Sequence, residues 1–264
     1  MQVSSLNLIA RYVRLVIRLL FATFFLLCWQ TAGYTLEKGL VLYLPFDEGA
    51  GKVAHDISGN ENHGDINNTK WVKGKYDSAL EFSGAVDSYV RIKKSNSLIP
   101  KDQVTLEAWV FPTQVAGNNN IISNTEGSGH TMRFENAQLK AYIHIAGAYA
   151  TPVGGPVIKP NELYHTATTF DGKVARLYLN GELVGEAERK GVITESTQDI
   201  FVGSETDANQ PNVTYMFFGL IDEVRIWHVA RTADEIKMGM EKLNLPVNPK
   251  GNLTTSWGKI KQRS

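Results

Sequence analysis

The chain has 264 residues, with 27 basic and 27 acidic side chains, one cysteine and an apolar fraction of 43%. That length suits one large β-sandwich or, less naturally, two small domains. It buries about 70–75% of the unfolded surface, so the core needs no disulfide staples. The balanced charge, with no basic block interleaved with aromatics, argues against nucleic acid as a partner.

The N-terminus reads as a secretory signal over residues 1–33. Arg11, Arg14 and Arg18 come first, the apolar run from Leu19 to Trp29 follows, and Thr31-Ala32-Gly33 supplies small residues for cleavage after Gly33. The run is too short to cross about 30 Å of hydrocarbon, which weighs against an uncleaved anchor as the alternative and predicts no membrane insertion after cleavage. Cys28, the one cysteine, falls inside this segment. A secreted or cell-envelope protein without disulfides is the expectation. Cleavage leaves 24 basic residues against 27 acidic, a mildly acidic surface.

From Leu40 onward, short β-branched and aromatic runs alternate with Gly, Asn, Asp and Pro clusters, which predicts strands and turns. Gly39–Phe46, Ala79–Phe82, Tyr89–Ile92 and Val104–Phe111 are read as strands. In Leu139–Ile145 the residues Leu139, Ala141, Ile143 and Ile145 share one face, and Lys140, Tyr142 and His144 the other. This period of two marks a half-buried antiparallel strand. Asn180-Gly181 predicts a type I′ hairpin turn, between Ala175/Leu177/Leu179 on one side and Glu182-Leu183-Val184 on the other. Leu220–Trp227 is the last strand. A capping box at Thr232 and Glu235 opens one short helix, expected to reach about Leu243. Pro246 and Pro249 then lead into a polar, basic tail, 245–264.

Four segments, in order, resemble the laminin G-like jelly roll of the concanavalin A-like lectin/glucanase superfamily. They are Leu42–Gly49 with Asp56–Gly64; Ala79–Phe82 through Leu106–Val110; Tyr164-His165 to Asp171-Gly172 with the Asn180-Gly181 hairpin; and Gly219–Trp227. The resemblance covers about residues 39–242. It implies an all-β sandwich of two antiparallel sheets with one short C-terminal helix, occupying 34–244. Leu163 and Thr166 depart from the family pattern, which has Trp and Val there. The disulfide that some relatives carry near the C-terminus cannot form in this chain.

The segment Asp56-x-Ser58-x-Asn60-x-Asn62 sets side-chain oxygens at alternate positions. Hard oxygen ligands of this kind suit a structural Ca²⁺, and plain turn chemistry uses the same residues. Asp56, Asn60 and Asn62 form the candidate set. Asp222 is the first choice for a second carboxylate, with Asp47 or Glu48 next, because relatives tend to clamp the first and last strands together. The glucanases of the superfamily use Glu-x-Asp-x-x-Glu along one strand, and this chain has no such strand. The six scattered histidines show no ligand spacing. Trp71, Trp109 and Trp227 are expected in the core. Tyr149, beside Pro152 and Gly154-Gly155, and Asn119, within Asn118–Asn120, are the candidate ligand-binding residues on loops. The expected function is non-catalytic recognition of an extracellular glycan or protein. The competing readings are a glycoside hydrolase on the same fold and a structural adhesion protein without a small ligand.

Overall fold

A computed structural model describes residues 38–243, except 126 and 207–212. The predicted signal segment 1–33 and the tail 245–264 lie outside the described residues. The strands, in chain order, are β1 (Leu40–Leu44), β2 (Val53–Ala54), β3 (Gly64–Asn67), β4 (Lys70–Lys73), β5 (Ser78–Ser83), β6 (Tyr89–Ile92), β7 (Val104–Pro112), β8 (Asn118–Ser123), β9 (His130–Glu135) and β10 (Gln138–Ile145). They continue as β11 (Ala148–Ala150), β12 (Val153–Gly154), β13 (Tyr164–Phe170), β14 (Val174–Leu179), β15 (Glu182–Glu188), β16 (Ile200–Val202), β17 (Glu205–Thr206), β18 (Val213–Thr214) and β19 (Phe218–Trp227). A 3-10 turn covers Asn96–Leu98, and helix α1 covers Ala233–Gly239.

Two antiparallel sheets face each other. The eight-stranded sheet runs β15-β14-β13-β7-β19-β5-β4, with β1 also on β19. The nine-stranded sheet runs β11-β10-β9-β8-β16-β6-β3-β2, with β12 also on β10. Their inner faces come from alternate residues. Leu106 and Val110 of β7 meet Phe134 of β9 and Ile143 of β10 in one buried cluster. Alternation places every second side chain on the same face of a strand, so a period-two apolar pattern becomes a core when two such sheets stack.

β19 organises the eight-stranded sheet. β7 lies along one side of it, while β5 and β1 share the other, β5 at Phe218–Ile221 and β1 at Val224–Trp227. The first and last strands of the domain are therefore joined. A β-bulge between Asp222 and Arg225, with Glu223 at φ 54°, adds one residue to β19.

The outward side chains of this sheet form a buried polar layer. Tyr43, Glu107, His165 and Arg225 are each 0–1% exposed, beneath α1 and the residues that follow it. Ile236 of α1 packs on Ala167 and Tyr178. The predicted capping box is present: Thr232 Oγ1 accepts from Glu235 N at 3.3 Å, and Glu235 Oε2 accepts from Thr232 N at 2.7 Å. The helix stops at Gly239 rather than near Leu243. The sheet takes its last carbonyls, since Arg225 donates to Gly239 O at 2.5 Å, and Trp109 and Tyr76 donate to Met240 O at 3.2 and 2.9 Å. A chain end satisfied by side chains has no need of further helical turns.

Candidate functional site

A sandwich has two outer faces, and here they differ. Among the described residues, α1 and Met240–Leu243 cover the eight-stranded sheet. The nine-stranded sheet carries a row of polar and aromatic side chains in which Arg133, Lys140, Tyr142 and Tyr149 are half-buried, while Asn120, Thr131 and His144 are buried. Register fixes which residues share that face: Asn120 opposes Arg133, Arg133 opposes Lys140, Thr131 opposes Tyr142, and His144 opposes Tyr149. Directly opposed residues on neighbouring strands lie on one face, so β8 to β11 supply one continuous surface.

Arg133 is its centre. Its guanidinium lies 4.3 Å from the Tyr142 ring and 5.1 Å from the Tyr215 ring. Glu135 fixes one edge, accepting from Nε at 3.1 Å and from Nη2 at 2.5 Å. The same carboxylate accepts from Lys140 Nζ at 2.7 Å and from Tyr142 Oη at 2.6 Å. Burial raises the Glu135 pKa, but hydrogen bonds from Lys140, Tyr142 and Arg133 outweigh it and hold the carboxyl down at about 2. Tyr215 enters from a distant part of the chain in a left-handed backbone conformation, φ 62°, and remains 41% exposed. A tyrosine in this region is uncommon and costs backbone energy, a kind of strain that clusters at functional sites. Its carbonyl accepts from Asn120 N at 2.9 Å, which anchors it to β8.

A second carboxylate borders this surface. Glu205 of β17 is 7% exposed. It accepts from Asn120 Nδ2 at 2.6 Å and from Thr125 Oγ1. Tyr149 closes the other side, its ring 4.8 Å from His144 and 5.9 Å from Tyr142, its hydroxyl accepting from Gly127 N at 3.1 Å.

The structure thus brings Tyr149 to this face and keeps Asn119 away from it. Asn119 opposes Phe134, is 2% exposed and donates from Nδ2 to Met216 O at 3.2 Å. The expectation of a loop there is corrected: Asn118–Asn120 is strand, and Asn118 and Asn120 share the outer face, Asn120 being fully buried where its amide donates to Glu205. Sequence reading overlooked Arg133, Glu135 and Tyr215. The alternation of Thr131, Arg133 and Glu135 along β9 was the available signal for the first two, whereas nothing local marks Tyr215.

The oxygen-bearing loop is built as a hydrogen-bonded clamp. Asp56 Oδ1 accepts from Tyr43 N and Ser58 N, both at 2.9 Å. Asp56 Oδ2 accepts from Ser58 Oγ and Asn62 N, also at 2.9 Å. Asn62 Nδ2 donates to Val41 O at 2.9 Å, and Asn60 Nδ2 donates to Val41 O at 3.3 Å. Asp222 lies apart from this network. Its oxygens accept from Lys75 N at 2.8 Å and Glu223 N at 2.9 Å, so the two carboxylates proposed to share an ion share no partner. No group of three or more His, Cys, Asp or Glu among the described residues is arranged to hold a metal. Trp109 and Trp227 are buried at 6% and 1%, as expected, and Trp71 is half-buried.

Two antiparallel sheets stacked face to face make this chain a jelly-roll β-sandwich. Comparison with known proteins gives the family: the Laminin_G_3 family of the concanavalin A-like lectin/glucanases superfamily matches residues 83–237, and this chain belongs to it. It is 32% identical over 110 residues to mouse pappalysin-1, a stretch that spans 6% of that protein's length. The binding domain of Paraclostridial Mosquitocidal Protein 1 superposes with a TM-score of 0.65 at 18% identity, covering 77% of this chain and 52% of that one. Domain 4 of a GH43 extracellular arabinanase from Geobacillus stearothermophilus, solved with arabinotriose, gives 0.57 at 19% identity, covering 76% and 98%. The ligand-binding domain of botulinum neurotoxin serotype D, in complex with N-acetylneuraminic acid, gives 0.60 at 14% identity, covering 76% and 50%. At these identities the structural likeness establishes the fold. No helix among the described residues is long and apolar enough to cross a membrane.

Proposed function

We propose that this chain is an exported, non-catalytic module that binds extracellular carbohydrate on the outer face of the nine-stranded sheet. The observation that carries the reading is the Tyr142–Arg133–Tyr215 stack on the outer face of the nine-stranded sheet, with Tyr215 41% exposed. Sugars offer C–H faces that pack on aromatic rings and paired hydroxyls that suit a fixed guanidinium and carboxylate. Arg133 and Glu135 hold each other in place before any ligand arrives, which limits the ordering cost of binding. Two structural relatives, solved with arabinotriose and with N-acetylneuraminic acid, support a saccharide as the ligand. The basic, apolar, small-residue order of residues 1–33 supports export.

Hydrolysis is the weaker reading. A glycosidase needs a carboxylic acid that stays protonated near neutral pH beside a second carboxylate. On this face Glu135 is held down at about 2, which suits a permanent anion and not a proton donor. The raised carboxyls, Asp222 and Glu223, belong to the other sheet.

The test is a glycan array probed with the exported protein and with Tyr215→Ala and Arg133→Ala. Losing a stacking ring or a charged hydrogen-bonding group from a binding site costs about 1–3 kcal/mol, so affinity should fall about fivefold or more in each variant. Retained affinity in both variants, or release of reducing sugar by the wild type, would overturn the reading.

A further inference from the structure

Tyr215 sits where a chain does not rest unaided. Its φ of 62° lies in the left-handed region, and 41% of its surface is exposed. Strained residues of this kind persist only where their surroundings fix them. On the C-terminal side the chain is fixed at once. Met216 O accepts from Asn119 Nδ2 at 3.2 Å, Phe217 N donates to Gly203 O at 2.9 Å, and the Phe217 side chain is fully buried. On the N-terminal side Val213 and Thr214 form β18, whose ladder partners are Thr206 and Glu205 of β17. These two strands make a small sheet of their own, separate from the two large ones. A ladder so short is marginal by itself, so whatever holds β17 decides where Tyr215 enters.

The Glu205 side chain holds it. Oε2 accepts from Asn120 Nδ2 at 2.6 Å, and Oε1 accepts from Thr125 Oγ1. Both donors are neutral, and Asn120, Thr125 and Glu205 are 0%, 5% and 7% exposed. A carboxylate taken out of water is costly unless it is hydrogen-bonded. Bonds to a charged acceptor are roughly twice as strong as those between neutral groups, so Glu205 ties β17 firmly to β8 and the loop that follows it. Asn120 serves both ends of this path. Its side chain holds Glu205, and its backbone N–H donates to Tyr215 O at 2.9 Å. The Tyr215 ring then lies 5.1 Å from the guanidinium of Arg133, the residue that opposes Asn120 across the β8–β9 ladder.

We propose that Glu205 is the positioning residue of the Arg133 face: through Asn120 it sets Tyr215 beside the guanidinium, and it makes no contact with the ligand. The proposal rests on the reading of this face as the binding surface. Both carboxylate oxygens already accept from protein donors and the side chain is buried, so a ligand meets Tyr215 and Arg133 and not Glu205. Loss of Glu205 should release Tyr215 and leave Arg133, Glu135 and Tyr142 in place, because Glu135 accepts from both of its neighbours independently of β17.

The experiment reads Tyr215 directly and needs no ligand. The exported protein is labelled with 3-fluorotyrosine, and the Tyr215 fluorine resonance is assigned with Tyr215→Phe. Glu205→Ala should move that resonance to the position and narrow width of a solvent-exposed, mobile ring, with the Tyr142 resonance unchanged. Glu205→Gln keeps an acceptor for Asn120 and a donor that can pair with Thr125 Oγ1, so it should retain the wild-type signal. Thr125→Val removes one donor at nearly constant shape; it should shift the Tyr215 resonance in the same direction, and it decides the matter if Glu205→Ala does not fold. On the glycan array, Glu205→Ala should lose affinity about fivefold or more, as Tyr215→Ala does. The two changes together should lose no more than about twofold beyond Tyr215→Ala alone. A Tyr215 resonance unchanged in Glu205→Ala, or in Thr125→Val where the first does not fold, would overturn the proposal. So would a double variant much weaker than Tyr215→Ala, which would set Glu205 against the ligand. A wild type that binds no glycan would sink the carbohydrate reading instead, and the fluorine spectrum would still decide the role of Glu205.

Discussion

Asp56 carries the one negative charge among the alternating oxygen positions of its loop, and it is 7% exposed. Its two oxygens accept four hydrogen bonds, three of them from backbone N–H groups. Truncation to alanine would strand buried donors on β1 and in the loop. An unsatisfied buried group costs about 1–3 kcal/mol, and more when the lost partner was charged. Asp56→Ala should therefore lower the unfolding free energy by about 3 kcal/mol in urea denaturation, while Asp56→Asn, which keeps one acceptor oxygen, should lose less. A calcium ion at this carboxylate would have to displace Ser58 N or Asn62 N from their acceptor. Melting curves in EDTA and in millimolar calcium are accordingly expected to coincide; a calcium-dependent rise in Tm that disappears in Asp56→Ala would place the ion at Asp56 after all.

At the scale of elements, helix α1 depends on one close approach. A Cβ on Gly239 would lie 2.1 Å from Glu107 Oε1, and Glu107 Oε1 in turn meets His165 Nε2 at 2.8 Å in the buried layer. Alanine is the better helix former by up to about 1 kcal/mol. Overpacking a buried site costs about 1–3 kcal/mol, and here it also disturbs a charged network. Gly239→Ala should thus destabilise the protein, measured as a lower denaturation midpoint at unchanged slope; a more stable variant would mean that the helix does not sit on Glu107. The contrast between Gly239 and Thr232 marks what sequence can and cannot convey. The capping box, the Asn180-Gly181 turn, with φ of 51° and 78°, and the alternation of β10 are local, so a few adjacent residues encode them. The end of α1 is set by Arg225, Trp109 and Tyr76, which come from three other segments. The Arg133 face likewise joins β8 to β11 with Tyr215, and its composition depends on cross-strand register. A one-residue bulge, such as that between Asn120 and Ile122, exchanges which side chain faces out. The inward position of Asn119 is set by this cross-strand register, so the Asn118–Asn120 triplet alone does not convey it.

For the whole molecule, two buried groups set opposite dependences on pH. Asp222 is pushed up to about 8, chiefly by burial and then by the nearby negative charge of Glu223. His130 is pushed down to about 3 by burial and by the neighbouring His228. A carboxyl raised from 3.8 to about 8 gives stability that is complete below pH 3.8 and is lost as pH rises through 8, because the folded state keeps a proton the unfolded chain releases. A histidine lowered from 6.5 to about 3 does the reverse: its contribution is complete above pH 6.5 and is lost as pH falls towards 3. Between pH 3.8 and 6.5 the two slopes oppose each other and stability should be nearly flat. From 6.5 to 8 the His130 contribution is already complete, and Asp222 acts without opposition. Each group changes stability by at most about 1.4 kcal/mol per pH unit, so the loss from pH 6.5 to 8 should approach about 2 kcal/mol. At this size that lowers Tm by roughly 4–8 °C. Thermal and urea denaturation at pH 5, 6.5 and 8 measure the profile directly. Asp222→Asn cannot titrate, so its stability, whatever its absolute value, should fall less between 6.5 and 8 than that of the wild type; burial raises Glu223 too, and that carboxyl acts in the same direction. A wild type equally stable at those two values would mean that Asp222 is ionised in the folded protein throughout, with the N–H groups of Lys75 and Glu223 outweighing its burial.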